Sequence, residues 1–291
     1  MPSAIVTRGL TKRFGDVTAV DDLDLDVAPG QVFGFLGPNG AGKTTTIRLL
    51  LDILRPTAGT VEVLGSSPRD TAVRARIGFL PAELGLDPRH TATDTITYLG
   101  ALRGGFEPGD VQHLLERFDL DPTRRIGELS TGNRRKVGVV QAFVGRPELL
   151  ILDEPTAGLD PLLQHELLGL IRERVAAGAT VVLSSHILPE VERIADRIGI
   201  LRRGRLVAHG TVEEMRASAR QRIDLHLGAP ADPAPFRDLP GVIGVDVEGA
   251  VLTVTVEGSV DAVVKAAAQL EVHRLISHDA DLENVFLELY R

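Results

Sequence analysis

The segment Gly37-Pro38-Asn39-Gly40-Ala41-Gly42-Lys43-Thr44-Thr45 satisfies G-x-x-x-x-G-K-[ST], the spelling of a phosphate-binding loop. A polyphosphate needs many hydrogen-bond donors at short range. Backbone N–H groups supply them only where the chain can wrap the anion closely, which glycines at 37, 40 and 42 permit. Lys43 adds a point charge for the outer phosphates, and the Thr44 hydroxyl is suited to ligate Mg²⁺. The flanks agree. Residues 31–36 read as a strand and 45–54 as a helix whose positive end faces the anion, worth up to ~2 kcal/mol in a partly buried site. An incidental glycine-rich turn would not need this strand–loop–helix setting. The loop predicts that a nucleoside triphosphate binds, without saying which.

A second stretch, Leu149-Leu150-Ile151-Leu152-Asp153-Glu154, is an apolar run that ends in two acids. Such a run suits a fully buried strand of a parallel sheet, and its carboxyl end opens on the crevice where doubly wound sheets bind ligands. Asp153 could hold Mg²⁺ there, directly or through water. Glu154, one residue on, could polarise a water for attack on a γ-phosphate. Two solvated acids closing a strand are common in general; the phosphate loop upstream favours catalysis.

The elements that must position these residues follow from the pattern. Leu23, Leu25 and Val27 alternate with aspartates as a half-exposed strand, and Pro29-Gly30 is a turn. Further strands are expected at 60–64, 77–80, 149–152, 180–184 and 198–201, with helices at 70–76, 161–177 and 188–197. Between about 83 and 146 the spacing turns helical, in Ile96, Leu99 and Leu102 and again in Val111, Leu114, Leu115 and Phe118. Gly104-Gly105 and Pro108-Gly109 are read as breaks between those helices. Arg202 to Arg205 looks like a hairpin turn, and Thr211 with Glu214 forms a capping box. Residues 219–291 read as a separate small α+β domain. Its strands are expected at 223–227, 242–247 and 251–256, its helices at 260–270 and 281–290, and its loop, rich in Ala and Pro, at 229–235.

Composition bounds the possibilities. The chain has 291 residues, 43% hydrophobic and 25% charged, an ordinary globular balance for one large domain or two. The formal net charge of −8 argues against non-specific nucleic-acid binding, so no nucleic-acid partner is expected. There is no cysteine, which excludes disulfides, thiol catalysis and cysteine metal sites and fits the cytosol. No apolar run approaches the ~20 residues of a membrane-spanning helix. The first residues lack the apolar core of a signal peptide. If the work concerns a membrane, another polypeptide is expected to supply the span.

Three further motifs complete a series: Leu129-Ser130-Thr131-Gly132-Asn133, Ala157-Gly158-Leu159-Asp160 and Ser185-His186. With the loop at 37–45 and the strand at 149–155, they resemble, in order and spacing, the nucleotide-binding subunit of ATP-binding cassette (ABC) transporters over roughly residues 4–218. The resemblance identifies the Walker A loop, signature, Walker B strand, D-loop and switch histidine. It implies an α/β phosphate-loop NTPase core of the ABC type over 1–218, with a β subdomain and the helical insert at about 83–146. The accessory α+β domain at 219–291 would follow.

The resemblance also implies roles. ATP would bind at Gly37, Pro38, Asn39, Gly40, Ala41, Gly42, Lys43, Thr44 and Thr45, with Mg²⁺ on Thr44 and Asp153 and Phe14 stacked on adenine. Glu154 would be the general base, and His186 would sense the γ-phosphate. Ser130 and Gly132, opening a helix, would face the γ-phosphate bound to a second subunit, with Asp160 at that interface. Partners would be that second ATPase subunit, most simply another copy of this chain, and an integral membrane permease. The protein would then be cytoplasmic and peripheral on the inner face of the membrane. Thr131 and Asn133 replace the common Gly and Gln, a variant similar to that of drug and antibiotic exporters whose ATPase and permease are separate chains. Ala82 stands at the position of the family's Q-loop glutamine, where Glu83 or a water would have to substitute. The ending at 281–289 also resembles that of such exporter ATPases. The expectation is an exporter of drug-like or amphiphilic substrates. An importer subunit, a soluble non-transport ABC ATPase and an ATP-dependent regulator are the competing readings. The last two are disfavoured by the single Walker A, by the lack of a heptad run between Lys43 and Ser130, and by the intact Asp153, Glu154 and His186.

Overall fold

The computed structural model describes residues 2–217 and 220–278. In chain order, β1 (Ile5–Phe14), β2 (Val17–Val27) and β3 (Val32–Leu36) lead into α1 (Lys43–Leu50), followed by β4 (Ala58–Val63), α2 (Thr71–Ala75) and β5 (Ile77–Leu80). Three α-helices come next: α3 (Ala92–Leu102), α4 (Pro108–Arg117) and α5 (Thr131–Phe143). The α/β alternation resumes with β6 (Leu149–Asp153), α6 (Pro161–Ala176), β7 (Thr180–Ser185), α7 (Leu188–Glu192), β8 (Arg197–Arg202) and β9 (Arg205–Thr211). Helix α8 (Val212–Ala217) precedes β10 (Arg220–Leu227), α9 (Ala234–Arg237), β11 (Val242–Glu248), β12 (Val251–Glu257), α10 (Asp261–Ala267) and β13 (Val272–His278). The chain divides into two compact units between His209 and Gly210.

In the first unit a six-stranded sheet has the order β5-β6-β7-β3-β8-β9, and a three-stranded antiparallel sheet the order β2-β1-β4. Strands β5, β6, β7, β3 and β8 are parallel. Every residue of β3, β6 and β7 is buried, which is why their apolar residues come in unbroken runs rather than alternations, with the polar Asp153, Ser184 and Ser185 at the carboxyl ends of β6 and β7. Because β7 lies between β6 and β3, the loop after β3, the acids ending β6 and the residues ending β7 emerge at one edge of the sheet. The core beneath them includes Phe33 and Phe35, whose rings meet edge to face at 5.1 Å, with Ile47, Leu50 and Ile151.

Local chemistry sets the helix starts. Helix α3 opens with a capping box in which Thr91 Oγ1 accepts from the Asp94 N–H at 3.1 Å and Asp94 returns the bond at 2.9 Å. Pro108 and Gly109 do not lie in a break. They form the first turn of α4, where a proline without an N–H is tolerated. The helix expected over 188–197 is only α7. It ends at Glu192 with Arg193 as its C-cap; beyond it Asp196 accepts the Val32 N–H at 2.7 Å on its side chain and donates its own N–H to the Val32 carbonyl, just before β8 begins.

The second unit follows a β-α-β-β-α-β order, and its sheet, β11-β12-β10-β13, is antiparallel throughout, the arrangement of a split βαβ fold. Ile223, Leu225 and Leu227 of β10 alternate with polar residues and pack with Leu252, Val254, Val256, Phe236, Val263 and Ala267. Strand β13 was not expected, because it is largely exposed and carries no alternation of apolar residues. Helix α9 was not expected either; it overlaps the expected loop and is anchored by the buried Phe236. Helix α10 is shorter than the expected 260–270. The helix expected over 281–290 lies outside the described residues.

Candidate functional site

Pro38 to Thr45, with Ala19, Ala82, Glu154, Ala157 and His186, line a cavity of about 380 Å³. The loop is shaped for it by two glycines with left-handed backbone, Gly40 at φ 81° and Gly42 at φ 106°. A Cβ on Gly42 would stand 2.6 Å from the Ala19 carbonyl oxygen, so no other residue fits that position without moving the loop. Gly42 also provides no side-chain cap for α1, so the first-turn N–H groups are left for an external acceptor.

Three ionisable side chains, Lys43, Glu154 and His186, meet in the cavity. Lys43 is only 6% exposed; its Nζ donates to the carbonyls of Gly37 and of Pro38 (3.2 Å) and lies 3.4 Å from Glu154 Oε1. The other carboxylate oxygen of Glu154 accepts from His186 Nδ1 at 2.8 Å, which fixes the proton on that nitrogen. Asp153, by contrast, does not line the cavity. It is buried, and the Ser184 hydroxyl donates to its Oδ1 at 2.5 Å.

The backbone of Glu154 is held in an unusual conformation. Its φ is +48°, a left-handed value that strains a residue with a side chain. Its N–H donates to Ser184 Oγ at 3.0 Å, and its carbonyl accepts from Arg135 Nη2 at 2.6 Å. Nearby, Thr156 and Ser185 both donate to Glu190 Oε2, at 2.8 and 2.9 Å, which ties the turn after β6 to the residue before His186. Sequence reasoning missed Ser184, Glu190 and Arg135. Arg135 had a signal: it shares the buried face of α5 with Gly138, Val139 and Ala142, at i+3, i+4 and i+7, where an unpaired charge is out of place.

The remaining predicted residues lie outside this cavity. Ser130 is the N-cap of α5, and its hydroxyl accepts the Asn133 N–H at 3.2 Å. Gly132 lies in the first turn of α5, where a Cβ would stand 3.5 Å from the Gly158 carbonyl. Asp160 is the N-cap of α6 and accepts from the N–H groups of Leu162 and Leu163, both at 3.0 Å. Phe14 is 47% exposed at the end of β1, with Lys12 Nζ 5.0 Å from its ring centroid, so it is not a core residue. Ala82 lines the cavity, whereas Glu83 is exposed and outside the lining.

A parallel sheet whose central strand ends in a glycine loop, with a buried lysine facing an acid from a nearby strand, defines a phosphate-loop nucleoside triphosphatase. The sequence relationships narrow the class. Residues 20–157 match the family described as ABC transporter. The chain is 39% identical to the daunorubicin resistance ATP-binding protein DrrA3 of Streptomyces coeruleorubidus, covering 99% of this chain and 96% of that protein. It is 38% identical to the Nod factor export ATP-binding protein I of Paraburkholderia xenovorans (strain LB400), covering 99% and 98%. A solved ATP-binding subunit of an ABC transporter superposes with a TM-score of 0.69 at 30% identity, over 74% of this chain and 92% of that one. A nucleotide-free ATP-binding cassette from an ABC transporter gives 0.63 at 25% identity, over 73% and 92%. The chain belongs to the ABC transporter family, as an ATP-binding and ATP-hydrolysing subunit. Among the described residues no helix is long and apolar enough to cross a membrane.

Proposed function

We propose that this ATPase powers a separate integral membrane permease that exports drug-like or amphiphilic substrates, and that two copies close head to tail around two ATP molecules. The observation that carries the catalytic part is the Glu154 carboxylate set in the cavity between Lys43 and His186. ATP takes its phosphates into the loop of residues 37–45, where N–H groups and Lys43 replace water. Phe14 stacks on adenine. Ser130 and Gly132, at the N-terminus of α5, meet the γ-phosphate held by the other copy, with Asp160 beside that interface.

Thr44 and Asp153 would hold Mg²⁺. Both offer hard oxygen donors, and Asp153 is a buried carboxylate whose described side-chain contact is a hydroxyl, a setting that suits a cation. A Mg²⁺ held by these two residues would supply charge neutralisation for the bound phosphates. In the reaction Glu154 accepts a proton from water as the water oxygen attacks the γ-phosphorus. The bond from that phosphorus to the β–γ bridging oxygen breaks, ADP leaves with the electron pair, and inorganic phosphate carries the new oxygen. His186 moves from Glu154 to the γ-phosphate, so the presence of that phosphate changes what Glu154 touches.

The exporter reading is supported by the relatives, one named for daunorubicin resistance and the other for Nod factor export. It places the subunit on the cytoplasmic face of the membrane through its permease, and it expects no nucleic-acid partner. Purification from native membranes in mild detergent tests it. A multi-span membrane protein recovered in near-equal amount is the expected result. Recovery of the chain with ribosomes, with nucleic acid or alone would remove the transporter assignment for this chain's working complex.

A further inference from the structure

Arg135 is a buried charge that the reaction described above does not use. It is 4% exposed, and burial pushes its guanidinium pKa down from the ordinary arginine value. No described carboxylate pairs with it directly; its two Nη groups donate to four backbone carbonyls, while its buried Nε has no partner among the described residues. Nη1 donates to Pro81 at 2.6 Å and Ala82 at 3.1 Å, and Nη2 donates to Asp153 at 3.0 Å and Glu154 at 2.6 Å. The planar fork thus joins three pieces: α5, which begins one residue after Ser130; the loop after β5, which contributes Ala82 to the cavity; and the end of β6, which contributes Glu154. A strained backbone persists only where its surroundings over-determine it. The left-handed Glu154 is gripped at its N–H by Ser184 and at its carbonyl by Arg135.

We propose that Arg135 is a positioning residue for hydrolysis: from the helix that carries Ser130 and Gly132, it holds the backbone of Glu154, and so aims that carboxylate, while fixing the Pro81-Ala82 wall of the cavity. This rests on Glu154 being the general base. Lysine keeps the charge but cannot fork across four carbonyls, so Arg135→Lys is the informative change. Small misplacements of a reacting group lower rate by factors up to ~10².

The test is a cycle of four full-length proteins: the parent, Arg135→Lys, Glu154→Gln and the double variant. Single-turnover ATP hydrolysis with Mg²⁺ is measured, along with affinity for a fluorescent ATP analogue. Arg135→Lys is expected to lower the rate roughly 10- to 100-fold with affinity changed less than about twofold. In the Glu154→Gln background the same change is expected to do almost nothing, because the group it positions is gone. A folded Arg135→Lys protein hydrolysing at the parent rate overturns the inference. So does a rate loss that multiplies with that of Glu154→Gln, or a loss of affinity in parallel with rate, since both mark general damage. If Glu154→Gln itself turns over normally, the general-base reading fails instead. Should Arg135→Lys not fold, Arg135→Gln enters the same cycle and is judged by the same outcomes.

Discussion

Glu154→Gln separates two effects that the geometry combines. The replacement is nearly isosteric and keeps an oxygen for His186. It removes the proton acceptor, and general-base effects are typically 10²–10⁴-fold, so turnover should fall by roughly that factor. It also removes a negative charge 3.4 Å from Lys43, inside the cavity that receives the γ-phosphate. At an effective dielectric of about 20 the direct Coulomb interaction of unit charges at that distance is ~5 kcal/mol, an upper figure before water and side chains relax. A net ~1–2 kcal/mol is a reasonable remainder at a site open to solvent, or roughly 5- to 30-fold in an equilibrium constant. The variant should therefore bind ATP more tightly while hydrolysing it more slowly. Titration with a fluorescent ATP analogue and a phosphate-release assay on the same preparation read both. Turnover within threefold of the parent would refute the general-base assignment. Unchanged or weaker binding would refute the idea that Glu154 competes with phosphate for Lys43.

Lys43→Ala deletes the charge that faces the phosphates, and bonds to charged groups are worth ~1.5–3 kcal/mol, so ATP affinity should drop roughly 10- to 100-fold; an unchanged binding isotherm contradicts the phosphate-loop geometry. Gly42→Ala forces a Cβ against the Ala19 carbonyl in a backbone conformation alien to alanine, a strain of ~2–5 kcal/mol. That strain should appear as a lower urea midpoint or, if the loop shifts to relieve it, as lost affinity, and a variant unchanged in both would be decisive against it. Glu173 is held below its ordinary value of 4.5 by hydrogen bonds from Arg117, which also bonds Glu166 and so fastens α4 to α6. A carboxylate lowered on folding stabilises the fold above its unfolded value and loses that contribution as pH falls through the folded one. Glu173→Gln should therefore destabilise by ~1 kcal/mol near neutral pH, discounted because Glu173 is mostly exposed, and by progressively less as the medium is acidified below about 4.5. Urea unfolding of parent and variant across that range checks it, and a difference independent of pH would disprove the clamp.

What could be known from the amino-acid order alone was whatever depends on local spacing. The phosphate loop needs glycines at fixed offsets and a lysine after the last, so it is spelled in consecutive residues. Strands β3 and β6 are buried on both faces and show as apolar runs, as does the Val181-Val182-Leu183 centre of β7. The cap at Ser130 and the capping box at Thr211 and Glu214 are likewise local, the latter with bonds of 2.8 and 3.0 Å. Where a partner is distant, the spelling was silent or misleading. The segment after α7 joins the sheet where Asp196 finds the Val32 N–H, 164 residues away in the chain, instead of continuing the helix to 197. Strand β13 exists because β10 offers it an edge, not because its own residues alternate. Above all, Glu154 is a plain strand-end acid in the sequence. Its left-handed backbone, its contacts with Lys43 and His186, and the grip of Ser184 and Arg135 all depend on side chains brought together by the parallel sheet and the helix laid against it. Hydrogen bonds act over about 3 Å whatever the separation along the chain, so only the folded arrangement could decide how that carboxylate is aimed.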